Sequence, residues 1–455
     1  MAERIKAEDG GRKRTPTSSS STHPSALRVA IVGGGWAGLA AAVTLAQRGV
    51  PLTLFEAARQ LGGRARRVDC CGLPLDNGQH ILLGAYHQTL RLIGLAGGAP
   101  ADALLLRLPL RLAVPGRFEL RTPPLPAPLH LLAGLLTARG LNLSERFGAL
   151  RFMHALQRQN FRLEQDGSVA ALLARHDQNG NLVRLLWEPL CLAALNTPIE
   201  AASAAVFLNV LRDSFSRSRA DSDLLLPQAD LSAVFPDLAA AFVENRGGRI
   251  RLGEPVRSLR LERHNLSIAS DSGRESFSHA IIAVPPQRLP GLLGELPLLA
   301  EAARLASGLT CQPIYTVYLQ YPASACLPCP MLGLAGGFAQ WVFDRGRTHG
   351  TPGLLAAVIS AEGNHQRLSH EELALQIERE LRETFNLPPP LWHKVIAEKR
   401  ATFSCLAGLE RPGQTTPAKN LYLAGDYTAG DYPATLEGAV QSGIKCANLI
   451  LDGIQ

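Results

Sequence analysis

Leu27-Arg-Val-Ala-Ile-Val-Gly-Gly-Gly-Trp-Ala-Gly38 decides the fold of this chain. A short β-branched run of the kind buried in parallel sheets leads into Gly33–Gly38. The apolar helix Leu39–Arg48 follows, stopped by Gly49, and Leu52–Glu56 is a second buried strand. Together they read as one β-α-β unit of about thirty residues. A bare G-x-G-x-x-G is a weak signal. Here a strand precedes it, a helix follows, and an acidic residue, Glu56, ends the next strand 18 positions beyond Gly38. Gly33 permits the tight turn, Gly35 lets the backbone approach a pyrophosphate, and Gly38 lets helix and strand sit close. The helix N-terminus at Trp36 and Ala37 supplies N–H groups and a positive dipole to the phosphate. Glu56 is placed to accept hydrogen bonds from an adenosine ribose.

Around that unit the chain has 455 residues, 46% hydrophobic and 19% charged. That suits roughly two to four domain-sized units and excludes a largely disordered protein. Gly 42 and Pro 31 without a G-X-Y period exclude collagen and predict many tight turns. The net charge of +7 is spread thinly as arginine and aromatics are only 5%, so neither a basic arm nor stacking platforms suggest nucleic acid. No apolar run reaches the ~18–20 residues that span a bilayer, and no apolar h-region opens the chain. With eight scattered cysteines, the expected setting is a reducing cytoplasm. Cys326-Leu-Pro-Cys329 is a lone C-x-x-C with no partner pair or histidines at zinc-ligand spacing; it reads as a loop with two incidental thiols, and no metal site is expected.

Residues 1–26 are polar and Ser/Thr-rich and read as a disordered tail. Parallel-strand signals then recur at the start, in the middle (Arg249–Val256 and His279–Val284) and at the end (Leu421–Ala424). The expected fold class is α/β: a Rossmann-like dinucleotide-binding domain assembled from discontinuous segments 27–100, 241–290 and 416–455. An α+β substrate domain of 101–240 and 291–415 is inserted. Within the insertions, Leu104–Arg121 reads as a hairpin about Pro115-Gly116, and Leu129 to Leu186 as mostly helical. Ile314–Tyr321, Trp341–Asp344 and Leu354–Ser360 alternate like half-exposed strands, and His370–Phe385 is an amphipathic helix. His365 and His370 fall on an exposed helix approach and receive no role.

Arg59-Gln-Leu-Gly-Gly-Arg64 distinguishes the dinucleotide. Two glycines and an arginine (Gly62, Gly63, Arg64) soon after the ribose carboxylate resemble the flavoprotein string E-A-x-x-x-x-G-G-R. Leu421-Tyr-Leu-Ala-Gly425-Asp426 is a strand ending in Gly-Asp, and Leu436-Glu437-Gly438-Ala439 opens the last helix, whose N-terminus can face a flavin's electron-rich edge. These strings resemble the amine-oxidase and phytoene-desaturase superfamily of FAD enzymes over the whole ordered chain. The resemblance implies non-covalent FAD, with the backbone of Val256 meeting the adenine, because no Cys or His stands where the superfamily attaches flavin. The chain departs from the pattern at Ala58 and Gln60, where arginines are usual, and at Thr435, where an aromatic wall of the amine cage is usual. Amine oxidation is correspondingly disfavoured.

Leu75-Asp-Asn-Gly-Gln-His80-Ile-Leu-Leu-Gly-Ala-Tyr86, Leu186-Trp-Glu-Pro-Leu-Cys-Leu-Ala-Ala-Leu-Asn196, Leu226–Ser232 and Gly425–Thr435 resemble one branch more closely. It is the squalene-associated FAD-dependent desaturases, or hydroxysqualene dehydroxylases. The resemblance implies reduction of hydroxysqualene to squalene with release of water, in bacterial hopanoid synthesis. An acid must protonate the poor hydroxide leaving group while hydride reaches the allylic cation. His80 beside Asp76 is the first candidate acid, or a structural histidine at a domain crossover; Asp431 and Tyr432 are second, with Asp431 otherwise capping its loop. Trp187-Glu188 reads as helix packing. An oxidative desaturase of phytoene type and a non-redox FAD-bound lipid-binding scaffold are the competing readings. The electron donor is not named by any motif. A squalenoid substrate lives in lipid, and Leu129–Leu136 between Arg121 and Arg139 is either a peripheral contact with the inner face of the cytoplasmic membrane or ordinary core.

Overall fold

The computed structural model describes residues 27–263, 265–294 and 296–453. The tail expected over residues 1–26 lies outside the described residues.

A five-stranded parallel sheet forms around β1 (Val29–Val32), which pairs with β2 (Leu52–Glu56) on one side and with His279–Ile282 on the other. Arg249–Leu252 and Leu421–Leu423 extend its two edges. Its strands come from the beginning, middle and end of the sequence, and the fold is a Rossmann-like α/β sheet with inserted α+β structure. All four β1 residues are buried, as a sheet covered on both faces requires. Helix α1 (Trp36–Gln47) is buried along all but its last residue, packed between the sheet, the helix Pro236–Glu244 and the last helix, Leu436–Asp452. Ridge-to-groove approach is limited by side-chain size, and at the α1 crossing the last helix carries Gly443, where a Cβ would overlap the Ala37 carbonyl.

The inserted region centres on an antiparallel sheet ordered Met331–Gly333, Trp341–Asp344, Leu354–Ser360, Cys311–Gln320, Trp392–Phe403. The half-exposed reading of its strands does not hold. Trp341–Asp344 is buried throughout, and Leu354–Ser360 is buried except at its last residue. One face is covered by the helix His370–Phe385 through Leu373, Ile377 and Leu381, and the other meets Leu75 and Leu226. His365 is likewise buried, edge-on to the Tyr315 ring at 4.9 Å, and not on an exposed approach.

Two boundaries shift. Arg111–Val114 and Phe118–Arg121 do form a hairpin across Pro115-Gly116, but Leu105–Leu108 leaves it to pair with Leu224–Pro227. Residues 231–240, assigned by sequence to the inserted domain, belong with the parallel sheet: Leu231, Val234, Phe235 and Ala239 share its core with Phe242. Trp187 packs as expected, edge-on to Phe152, with its Nε1 donating to Gln178. Cys326 and Cys329 are free thiols, and Cys329 Sγ donates to the Met331 carbonyl.

Candidate active site

The glycine run shapes a groove lined by backbone. Gly33 has φ +111°, and a Cβ there would stand 2.5 Å from the Ala283 carbonyl oxygen. A Cβ on Gly38 would overlap the Gly33 carbonyl. Gly35 is different: φ is −75°, and its nearest neighbour to an added Cβ is the Gly63 Cα at 4.0 Å. Gly62 N–H donates to the Gly34 carbonyl at 2.9 Å, which holds the Gly62-Gly63 turn against the start of α1. No side chain caps α1 and no acidic residue occupies its first turn, so its first N–H groups face the groove as an anion site does.

Glu56 sits at the end of β2, where its carboxylate accepts from Gly34 N–H at 2.6 Å and Ala58 N–H at 2.8 Å. The segment carrying Val256 runs alongside: Gly253 N–H donates to the Ala58 carbonyl and Glu254 N–H to that of Glu56. Val256 itself is half-buried at a strand start, next to a bulge opposite Ser270. Trp36 supplies backbone only, because its ring packs on Phe235 and its Nε1 donates to the Ala65 carbonyl.

Arg64 joins three distant segments. It donates to Asp426 at 2.6 Å and to the Ala401 carbonyl at 2.8 Å, and its own carbonyl accepts from Asn77, which also donates to Glu398. Burial opposes the Arg64 charge, yet Asp426 more than compensates and raises its pKa. Asp426 is therefore already paired, and its carboxylate reaches any ligand only together with Arg64. Gly425, at φ +155°, donates its N–H to Ser442 of the last helix. That helix starts at Leu436 with Thr435 as its N-cap, its Oγ1 accepting from Gly438 N–H. The Glu437 side chain turns away from this end: its carboxylate accepts from Gln88 N–H, Thr89 N–H and Thr89 Oγ1, capping α2 (His87–Gly97). The Glu437 side chain is thus engaged at α2, and the backbone is the part of this residue left to face a ligand.

His80 Nδ1 lies 2.7 Å from the Gly78 carbonyl. A carbonyl only accepts, so Nδ1 carries the hydrogen and Nε2 keeps the lone pair. Burial pushes the His80 pKa down, against the opposing pull of the Gly78 carbonyl and Asp76, while Arg64 lowers it further. The loop from Asp76 to His80 is anchored by a contact the motifs did not predict. Asp76 accepts from Arg345 Nη1 at 2.8 Å and from Leu231 N–H, both charged side chains being buried, and Arg345 also donates to Gln79.

Asp431 is largely exposed, its side chain 67% accessible with Arg212 at 3.7 Å, and it is among the residues that line the small pocket beside Tyr432 and Thr435. Tyr432 donates its hydroxyl hydrogen in a short bond to Asp213, which Arg212 also clamps. Burial and Asp213 raise the Tyr432 pKa, so it holds its proton. Tyr86, Tyr432 and Thr435 line a small pocket closed by the apolar side chains of Leu83, Val206 and Val210.

The fold and the paired glycine turns define a flavin-binding oxidoreductase. The chain matches the flavin-containing amine oxidoreductase family over residues 36–451 and belongs to it. It is 29% identical to the hydroxysqualene dehydroxylase of Rhodopseudomonas palustris, over 93% of this chain and 98% of that protein. It is 23% identical to a probable zeta-carotene desaturase of Synechococcus elongatus, over 94% of this chain and 99% of that one. The crystal structure of a putative protoporphyrinogen oxidase from Exiguobacterium shares the fold at TM-score 0.68 and 18% identity, covering 95% of this chain and 100% of that one. The protein is an FAD-dependent oxidoreductase. The residues fit FAD: a side-chain-free groove at Gly35 and Gly63, an uncapped helix start, and a carboxylate at the adjacent strand end.

Proposed function

We propose that the enzyme reduces hydroxysqualene to squalene: the alcohol takes up two electrons and two protons and leaves as hydrocarbon and water. The observation that carries this reading is the end-to-end similarity to a hydroxysqualene dehydroxylase. Thr435 at the N-cap of the last helix, in place of an aromatic wall, supports this reading over amine oxidation.

When bound and reduced, FAD supplies hydride to the allylic carbon. Gly35, Gly63, Val256 and the first turn of α1 would hold its phosphates and adenosine, with Glu56 toward the ribose. Arg64 and Asp426 would hold the flavin side together with the backbone at Gly425, Gly438 and Ala439. His80 is the acid. Burial lowers the His80 pKa, so the protonated ring is the minor form at neutral pH and the acid step should quicken as pH falls; when protonated, Nε2 is the position that passes a proton to the departing hydroxyl. Nδ1–H remains on the Gly78 carbonyl and fixes the ring. The Asp76–Arg345 pair holds the loop that aims it. The similarity to a carotene desaturase favours a second reading, oxidative desaturation of a terpenoid. Anaerobic incubation of the dithionite-reduced protein with hydroxysqualene, followed by mass spectrometry, tests the proposal: squalene is expected, and its absence with substrate intact rejects the reading.

A further inference from the structure

The outer surface of two helices in the inserted region is apolar where a water-facing surface is polar. Nine large hydrophobic residues are exposed among the described residues, and five of them fall within residues 125–147: Leu125, Leu129, Leu136, Leu143 and Phe147. Leu129 and Leu136 stand seven apart on α3 (Leu129–Thr137), one face of a helix. Leu143 and Phe147 stand four apart at the start of α4 (Leu143–Arg158), again one face. The two faces adjoin, because Arg146 of α4 donates to the carbonyls of Leu136 and Leu141. The inner side of α3 is ordinary core: Leu131 and Leu135 are buried, and His130 is buried with Nε2 at Ser222. Leu135 therefore belongs to the core, and the surface is carried by its exposed neighbours.

Charge follows the same strip. Between Arg121 and Arg162 the sequence holds six arginines and one acid, Glu145, a local excess of +5 that departs from the thin spread of arginine read from the whole chain. Along α4 the exposed residues change in order: Leu143, Phe147, then Arg151, His154 and Arg158 on the same stripe. Phe147 and Arg151 are one turn apart, about 6 Å along the axis, comparable to the depth of ~5–10 Å at which an interfacial helix sits below the headgroups. Arg139, 85% exposed, stands beyond the end of α3. Two copies of so cationic a face would repel one another, whereas anionic headgroups complement it.

We propose that α3 and the first turn of α4 form a docking surface for an anionic lipid bilayer, with Leu125, Leu129, Leu136, Leu143 and Phe147 inserted and the arginines at the headgroups. No helix among the described residues is long and apolar enough to cross a membrane, so the contact is with one leaflet. It deepens the reading of a lipid-borne substrate and rests on it for its purpose, but its test involves no turnover.

Flotation of the full-length holoprotein with vesicles of phosphatidylcholine, with and without phosphatidylglycerol, provides that test. Binding is expected with phosphatidylglycerol and should weaken in high salt. Leu129→Glu and Phe147→Glu should each lower partitioning about tenfold, the loss of one inserted apolar side chain. Leu375→Glu and Leu391→Glu, exposed leucines elsewhere, should bind as wild type, and all four should keep the wild-type melting temperature. Absence of binding, or equal loss in the two control variants, would overturn the proposal. So would a dimer in solution that Phe147→Glu converts to monomer without any vesicle binding. Loss of vesicle binding with squalene still formed from detergent-dispersed substrate upholds the surface and the reaction separately.

Discussion

Gly35→Ala separates cofactor binding from folding. Gly35 precedes α1 with φ −75° and ψ 178°, a backbone alanine adopts freely. A Cβ there meets nothing closer than the Gly63 Cα at 4.0 Å, so the methyl group enters the groove without touching another protein atom. The apoprotein loses only the difference between glycine and alanine at a helix N-cap, about 0.5–1 kcal/mol. The pyrophosphate loses its close approach. Two charge-assisted N–H···O bonds at about 1.5–3 kcal/mol each are worth about 3–6 kcal/mol, a hundredfold or more in Kd. Gly38→Ala is the opposite case: its Cβ overlaps the Gly33 carbonyl, backbone against backbone. Helix α1 must then move off β1, at an overpacking cost of about 1–3 kcal/mol that falls on the apoprotein. Thermal denaturation of both apoproteins with and without FAD, alongside a flavin fluorescence titration, separates the two. At a hundred times Kd, FAD adds about 2.7 kcal/mol to the wild type. Gly35→Ala should melt near wild type as apoprotein and lose most of that gain. If it binds FAD as tightly as wild type, the pyrophosphate does not rest on the backbone at Gly35.

Glu56→Gln places an amide against the N–H groups of Gly34 and Ala58; it should cost the apoprotein about 1–3 kcal/mol and weaken FAD more than tenfold, and an unchanged titration would exclude Glu56 from the ribose. Arg345→Met leaves the buried Asp76 without its counter-ion, which should lower stability by about 3–5 kcal/mol in urea denaturation. Adding Asp76→Asn should recover most of that loss, and a single variant as stable as wild type would show that the pair contributes nothing. Acid stability follows from histidines buried in the neutral form. Burial and nearby Arg345 hold His349 down at about 3, and burial lowers His80 as well. The native state therefore binds fewer protons than the unfolded chain, so their stabilisation is complete above about pH 6.5 and is lost as pH falls toward 3. His349→Asn should flatten that acid limb in urea midpoints measured against wild type; parallel limbs would contradict the assignment.

What the sequence made legible was local. The β-α-β unit, the helix His370–Phe385 and the closing helix from Leu436 are written in apolar periodicity and glycine spacing, which act within one or two turns. Burial of Leu354–Ser360 on both faces was not legible, since the second cover comes from Leu75 and Leu226, far away in the chain. The motif located Glu437, yet its side chain caps a helix 349 residues upstream at Gln88. The Asp76–Arg345 pair spans 269 positions and carries no sequence signal at all. Periodicity found the leucines of α3, but only the packing of Leu131 and Leu135 told the inner face from the outer.

The direction of the reaction is tested most directly by isotope. Protein whose FAD is reduced in D2O, so that N5 bears deuterium, should convert hydroxysqualene in the same solvent to squalene containing one deuterium, on the carbon that bore the hydroxyl. Label-free squalene, or turnover only with oxidised flavin, would contradict reduction and favour the desaturase.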